Sequence, residues 1–323
     1  MAKLTKAEEK LHAEALALVD LERDLSEVEK WFVLEHFQEA STATNSTHGA
    51  FFTPDGLARD FAIEVPDSAA RIIDFGAGIG RLSIGCRNQF GSRWNSDPDR
   101  EFVCIERNSA YVRIGRKLLP EAVWIEGDVL DVLDMGLGHF DVAIGNPPFG
   151  GIKRSKDALG YKGRKFEYHV IALASQLADY GVFIIPQMSA PFRYSGRPYY
   201  EGDCGDREYR KFSDVTGIVL NANCGIDTSS YAGDWHGVSP AVEIVTVDFE
   251  ECRSAAAHEE ETETAVHPVP MKVIDVQLPE PDVVPSESGE QYMFQLGEAQ
   301  VDDRGEPVPC HADVLLAIAN EVS

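Results

Sequence analysis

The sequence predicts an α/β protein built on a doubly wound, mostly parallel sheet, with a helical extension before it and an acidic tail after it. Three observations predict this. From Arg71 onward, short apolar runs alternate with helix-length stretches, the pattern of βαβ units. The first four runs end in a glycine loop, an acidic residue or Asn-Pro-Pro-Phe and the fifth in Pro186, and such sheets bind ligands at the carboxyl ends of their strands. Composition changes sharply on either side of this region.

Residues 6–40 read as helix, since Leu11, Ala15, Leu18, Leu21, Leu25, Val28 and Phe32 recur at steps of three and four. Asp24 and Ser26 allow a break near its middle. Ser41 to His48 is a polar loop, and residues 1–48 form the helical extension. The first strands are Ile72-Ile73, Phe102 to Ile105, Val123 to Ile125, Phe140 to Ile144 and Val182 to Ile185. Val219-Leu220 and Val242 to Phe249 read as a closing pair at the sheet edge. A loop-rich insertion lies between Met188 and Asp214. Residues 49–250 thus form the main domain. Residues 251–323 hold 16 Asp/Glu against 3 Lys/Arg and seven prolines from Pro268 onward, the composition of an acidic, partly disordered tail.

The chain has 323 residues, 44% hydrophobic, and a net charge of −25. No apolar run approaches the eighteen or so residues that span a bilayer, and the N-terminus lacks a signal-peptide core. The expected location is the cytoplasm, with no membrane partner. Six cysteines stand apart without CxxC or Cys/His spacing, so neither a zinc site nor any other metal is expected. The charge is uneven. Residues 150–211 carry 11 Lys/Arg against 7 Asp/Glu, and local charge governs a bound polyanion because screening acts over about 8–10 Å.

Asp74-Phe75-Gly76-Ala77-Gly78-Ile79-Gly80 places a glycine turn between a strand and a helix. Its backbone can approach a ligand closely, because glycine has no Cβ. Glu106 ends the next strand, where a carboxylate can accept from ribose hydroxyls. Asp128 follows the third strand and can receive the amino group of an adenine; it can equally cap the next helix. Together these elements fit many nucleotide-binding folds, dinucleotide folds included.

Asn146-Pro147-Pro148-Phe149 follows the fourth strand and narrows the chemistry. An exocyclic amine on an aromatic ring is a poor nucleophile, so a site must accept its N–H hydrogens while the nitrogen rehybridises. The Asn146 side-chain oxygen and the Pro147 carbonyl are the two acceptors. The prolines stiffen the loop, and Phe149 offers a face on which an extruded base can stack. In-line attack on a sulfonium methyl needs positioning and no metal.

With these residues the chain resembles the class I S-adenosylmethionine-dependent amino-methyltransferases, particularly the gamma-type adenine-N6 enzymes and small methyltransferase-like proteins of phages and mobile elements. The likeness rests on Phe51-Phe52-Thr53-Pro54, the glycine motif, GNPPFG, Phe166-Glu167-Tyr168 and Tyr180 to Pro186, and covers about residues 49–250. It implies a seven-stranded Rossmann-like methyltransferase sheet, with S-adenosylmethionine as cofactor. The implied cofactor set is Phe52, Thr53 and Pro54, folded over the methionine part, with Asp74, Phe75, Gly76, Ala77, Gly78, Gly80, Glu106, Arg107, Asp128, Val129 and Asn146. The implied catalytic residues are Asn146, Pro147, Pro148 and Phe149.

The expected acceptor is N6 of adenine in nucleic acid, DNA before RNA. Phe149, Lys153, Arg154, Lys156 and Phe166 are expected at the substrate, and Phe192, Tyr194, Tyr199 and Tyr200 interleave with further cations in the insertion, a mixture suited to strands. The acidic tail and the N-terminal helix are candidate protein-docking segments. The other readings are an RNA adenine-N6 enzyme, a protein glutamine-N5 enzyme (a group that typically has Tyr at the position of Phe149) and a non-catalytic S-adenosylmethionine-binding scaffold. The cytosine-C5 route lacks its Pro-Cys nucleophile, since Pro309-Cys310 lies in the tail.

Overall fold

Seven strands form one sheet in the order β3-β2-β1-β4-β5-β7-β6. The computed structural model describes residues 4–38, 51–87, 100–236 and 238–255. The strands are β1 (Arg71–Phe75), β2 (Glu101–Glu106), β3 (Val123–Glu126), β4 (Phe140–Gly145), β5 (Ala178–Pro186), β6 (Asn221–Ala222) and β7 (Val242–Asp248). β1 to β5 pair in parallel, and β7 runs antiparallel between β5 and β6. This is the doubly wound, mostly parallel, seven-stranded sheet that the sequence predicts. The closing pair differs by a few residues: β6 is Asn221–Ala222, just after the apolar Val219-Leu220.

Side chains alternate across the pleat, so each strand feeds two cores. Ile72, Phe102, Cys104, Val142, Ile144, Val182 and Ile184 enter one. Ile73, Val103, Ile105, Ala143, Phe183, Ile185 and Val245 enter the other. A strand covered on both faces is apolar throughout, hence the near-continuous hydrophobic runs.

The first core is covered by α1 (Lys6–Val19), α2 (Glu27–His36), α3 (Asp55–Phe61), α4 (Arg81–Gly85) and α5 (Ser109–Leu118). The helical stretch breaks near the expected position: Asp20 caps α1, and Ser26 opens α2 with a capping box to Glu29. α5 lies tight on β3; a Cβ at Gly115 would stand 2.1 Å from the Trp124 ring, so only glycine fits that crossing. The second core is covered by α6 (Phe166–Ala174), α7 (Arg207–Thr216) and the 3-10 segment Val129–Met135.

Among the described residues no helix is long and apolar enough to cross a membrane. The expected polar loop 41–48 and the tail from residue 256 lie outside the described residues.

Candidate active site

The loops leaving β1, β2 and β4 meet at one edge of the sheet. The first is the glycine loop. Gly76, Gly78 and Gly80 have φ of +76°, +59° and +92°, a region that favours glycine. The amides of Gly76 and Ala77 donate to the Ile105 carbonyl at 2.9 and 3.0 Å, which ties the loop to β2. Glu106 completes the tie. Its Oε2 accepts from the Gly78 amide at 2.9 Å and its Oε1 from the Asn108 amide at 2.7 Å. A Cβ on Gly76 would meet nothing within 4 Å, so open space lies above that glycine.

Phe52-Thr53-Pro54 closes over this loop. The Phe52 ring lies 3.1 Å from where a Cβ of Gly78 would stand. It packs edge-on against Tyr111 of α5, with centroids 5.0 Å apart, and 5.9 Å from Phe37 just after α2. Arg81 of α4 donates to the Thr53 carbonyl at 3.1 Å and also to the Leu34 carbonyl of α2. Pro54 opens α3. The N-terminal helices therefore buttress the segment that covers the glycine loop.

Asn146 joins that segment to the loop after β4. Its Nδ2 donates to the Phe51 carbonyl at 3.2 Å and to Thr53 Oγ1 at 3.0 Å. The bond to a carbonyl fixes which end of the amide is nitrogen. The other end, Oδ1, is buried and has no hydrogen-bond partner. Asp74 lines the same small cleft, with Gly76, Gly78 and Asn146. Its Oδ2 accepts from the Ser83 hydroxyl at 2.7 Å, while its Oδ1 is buried and unpartnered. Two buried acceptors without donors thus line one cleft, where an unmet acceptor carries a real cost.

Burial pushes the Asp74 carboxyl up to about 7, with the charge of Glu106 adding and the Ser83 hydrogen bond opposing. Burial also raises Glu106, against the backbone amides of Asn108, Gly78 and Arg107.

The remaining expected residues separate into two groups. Pro147 is buried, and Pro148 and Phe149 are half-buried; Phe149 packs against the first core. Phe75 is wholly buried in the second core, below the loop it precedes. Asp128 caps the 3-10 segment Val129–Met135: Oδ1 accepts from the Leu130 amide at 3.0 Å and Oδ2 from the Ser155 hydroxyl at 3.0 Å. Val129 is buried behind it, and Arg107 is exposed.

Most of the substrate set expected after Phe149 is engaged within the chain. Arg154 is held by Asp157 at 2.5 Å and donates to the Gly163 carbonyl at 3.0 Å. Lys156 pairs with Asp131 at 2.8 Å and Asp134 at 3.1 Å. Phe166 belongs to the second core, and its amide donates to the Gly150 carbonyl at 2.9 Å. Tyr168 is also core, stacked on Phe212 at 4.6 Å with its hydroxyl on the Ser189 carbonyl at 2.8 Å. Only Lys153 of the expected cations stays exposed and without an ion pair among the described residues.

Sequence reasoning missed Glu167 as a structural pin. Fully buried at the start of α6, it accepts the Gly150 amide on Oε2 at 2.8 Å and the Ser189 hydroxyl on Oε1 at 2.7 Å. It thereby binds the end of Asn146-Pro147-Pro148-Phe149 to the loop after β5. A signal was present: one carboxylate inside the largely apolar run FEYHVIALA, where an ionised group needs partners.

No known family profile matches the sequence, and no curated protein matches it. Solved structures resemble it at low identity. One is assigned to the class I S-adenosylmethionine-dependent methyltransferases, from Listeria monocytogenes, with 15% identity over 76% of this chain and 75% of that one and a TM-score of 0.47. Another is a type I restriction-modification methyltransferase subunit from Streptococcus thermophilus, with 15% identity over 72% of this chain and a TM-score of 0.44. The chain spans 51% of that subunit's length. A third is assigned as an RNA methyltransferase, from Pyrococcus horikoshii, with 17% identity over 74% of this chain and 97% of that one and a TM-score of 0.40.

Proposed function

We propose that this chain is a methyltransferase that uses S-adenosylmethionine to methylate N6 of adenine in DNA. The observation that carries this reading is Asn146: its amide nitrogen is spent on Phe51 and Thr53, and its buried oxygen is left without a donor. An exocyclic amine supplies the missing N–H.

The cleft suits the cofactor on the same kind of observation. The glycine loop leaves open space over Gly76, and Asp74 offers a second donor-less oxygen. Gly76, Gly78, Asp74, Glu106 and the Phe52-Thr53-Pro54 segment would hold it, with Asp128 and Val129 at the third strand end. When bound, S-adenosylmethionine supplies an electrophilic methyl group.

The work of the chain itself is orientation. Asn146 Oδ1 and the Pro147 carbonyl accept the two amine hydrogens, so the nitrogen lone pair is freed from the ring and turned toward the methyl. Phe149 stacks on the extruded base. Neither acceptor needs to be a strong base, because positioning alone supplies a large part of such a rate gain. In this reading residues 49–250 are the catalytic domain and residues 1–48 an extension, of which α2 and Phe37 prop the Phe52 segment.

The test is to incubate the purified chain with methyl-labelled S-adenosylmethionine and unmethylated DNA, total RNA or mixed protein. Label recovered from DNA as N6-methyladenine supports the proposal. Label in RNA or on glutamine would move the acceptor and keep the amine chemistry. Binding of S-adenosylmethionine without any transfer would favour a scaffold role.

A further inference from the structure

The loop leaving β5 stands at the same sheet edge as Asn146-Pro147-Pro148-Phe149, and two buried carboxylates fix it there. Glu243 of β7, fully buried, gathers four donors. Its Oε1 accepts from Gln187 Nε2 at 2.7 Å, the Tyr194 amide at 2.9 Å and the Ser195 amide at 3.0 Å, and its Oε2 from the Ser195 hydroxyl at 2.7 Å. Glu167 supplies the second fixture, from Ser189 to Gly150. A buried carboxylate so fully satisfied makes a rigid mount.

On this mount sits a hairpin. Arg193 and Glu201 exchange backbone hydrogen bonds at 2.8 and 2.9 Å. Phe192 is buried beneath it and stacks on Tyr200, with centroids 5.8 Å apart and planes inclined by 22°. Tyr200 remains 55% exposed, and Tyr199 beside it is 71% exposed. Arg197, Arg207, Arg210 and Lys211 are exposed and form no ion pair among the described residues, while the nearby Asp206 is neutralised by Lys165 at 2.7 Å. This differs from the segment after Phe149, where Arg154 and Lys156 are already paired.

We infer that Tyr199 and Tyr200, flanked by Arg197, form a stacking platform for unpaired DNA next to the target adenine. The inference rests on the adenine-methylating reading and gives its substrate a landing surface. A flat ring exposed on a fixed hairpin matches the face of an unstacked base, which a paired duplex does not offer. On a chain of net charge −25, unpaired cations mark where a polyanion is least repelled. A protein partner of ordinary composition would gain less from exposed guanidinium groups beside flat rings.

The experiment uses the full chain and a fluorescent single-stranded oligodeoxynucleotide containing one adenine. The same sequence is also presented as a blunt duplex and as RNA. Affinities are read by anisotropy for wild type, Tyr199→Ala, Tyr199→Phe and the Arg197→Gln/Tyr199→Ala pair, with S-adenosylmethionine affinity measured alongside. The expected result is that the strand binds more tightly than the duplex. Tyr199→Ala should weaken it roughly 5- to 100-fold, Tyr199→Phe should retain it, and cofactor affinity should stay unchanged. Wild-type affinity in Tyr199→Ala, tighter binding of the duplex, or no strand binding by wild type overturns the platform. RNA bound in preference to DNA overturns the choice of DNA. Methyl transfer is scored separately. A wild type that binds the strand through Tyr199 yet transfers no methyl would overturn the enzyme reading and leave the platform standing. Transfer with an unchanged KM in Tyr199→Ala would do the reverse.

Discussion

The carboxylate of Glu167 accepts the amide hydrogen of Gly150 at 2.8 Å, which couples the first turn of α6 to the residue after Phe149. Glu167→Ala strands the buried Ser189 hydroxyl, at a cost of about 1–3 kcal/mol, and the half-buried Gly150 amide, at a smaller one. We expect a lower thermal midpoint and a lower kcat, with S-adenosylmethionine affinity unchanged because Glu167 makes no hydrogen bond to the glycine loop. Glu167→Gln keeps an acceptor for Gly150 and should recover most of the turnover. A Glu167→Ala enzyme with wild-type kcat would remove Glu167 as a positioning residue.

Asn146→Ala should lower kcat by on the order of 10²–10³, the usual effect of deleting one oriented polar group at a reacting centre. Cofactor affinity should fall too, though by less than kcat, because the Asn146 amide also ties residues 51–53 over the glycine loop. Thr53→Val removes one of two bonds that orient the Asn146 amide, since the Phe51 carbonyl remains; its effect should fall between wild type and Asn146→Ala. Steady-state kinetics with titrated cofactor separates the two. Equal losses in both variants would mean that amide orientation, and not the oxygen itself, is what matters.

Asp74 makes stability depend on pH with a defined sign. Its folded pKa, pushed up to about 7 by burial, lies above the usual carboxyl value of 3.8. Below about pH 4 both states hold the proton and nothing is lost. As pH rises toward 7 the unfolded chain ionises first, and stability falls by roughly 1.4 kcal/mol per pH unit from this group. Above 7 the loss levels off. Thermal midpoints of wild type and Asp74→Asn, compared from pH 4 to 8, should diverge across that window in favour of the variant. Parallel curves would show that Asp74 is not the source.

Lys156 is engaged by Asp131 and Asp134. Lys156→Gln should therefore leave nucleic-acid affinity and its salt dependence nearly unchanged. Thermal stability should also change little, because exposed pairs contribute little. A clear loss of affinity, measured at two salt concentrations, would return this lysine to the substrate surface.

The glycine loop, Glu106 and Asn146-Pro147-Pro148-Phe149 were legible in the sequence because each is a short string at a strand end. So was the sheet, since strands buried on both faces leave apolar runs. Glu167 and Glu243 were harder to see. Their partners lie 17 to 56 residues away, and only an isolated carboxylate in an apolar run hints at them. Arg154 and Lys156 looked free because counting charges cannot show that Asp131 and Asp134 fold back onto Lys156. The short β6 fell beyond its apolar residues because its pairing with β7 is set by that neighbour's register and not by local hydrophobicity.

Asn146 gives its amide hydrogens to the very segment that covers the glycine loop. The placement of residues 51–54 and the aim of the Asn146 oxygen are therefore a single mechanical variable, one that Arg81 and Phe52 transmit from the loop beneath. A substitution that displaces residues 51–54 should therefore also turn the Asn146 amide, even though it leaves the loop after β4 untouched.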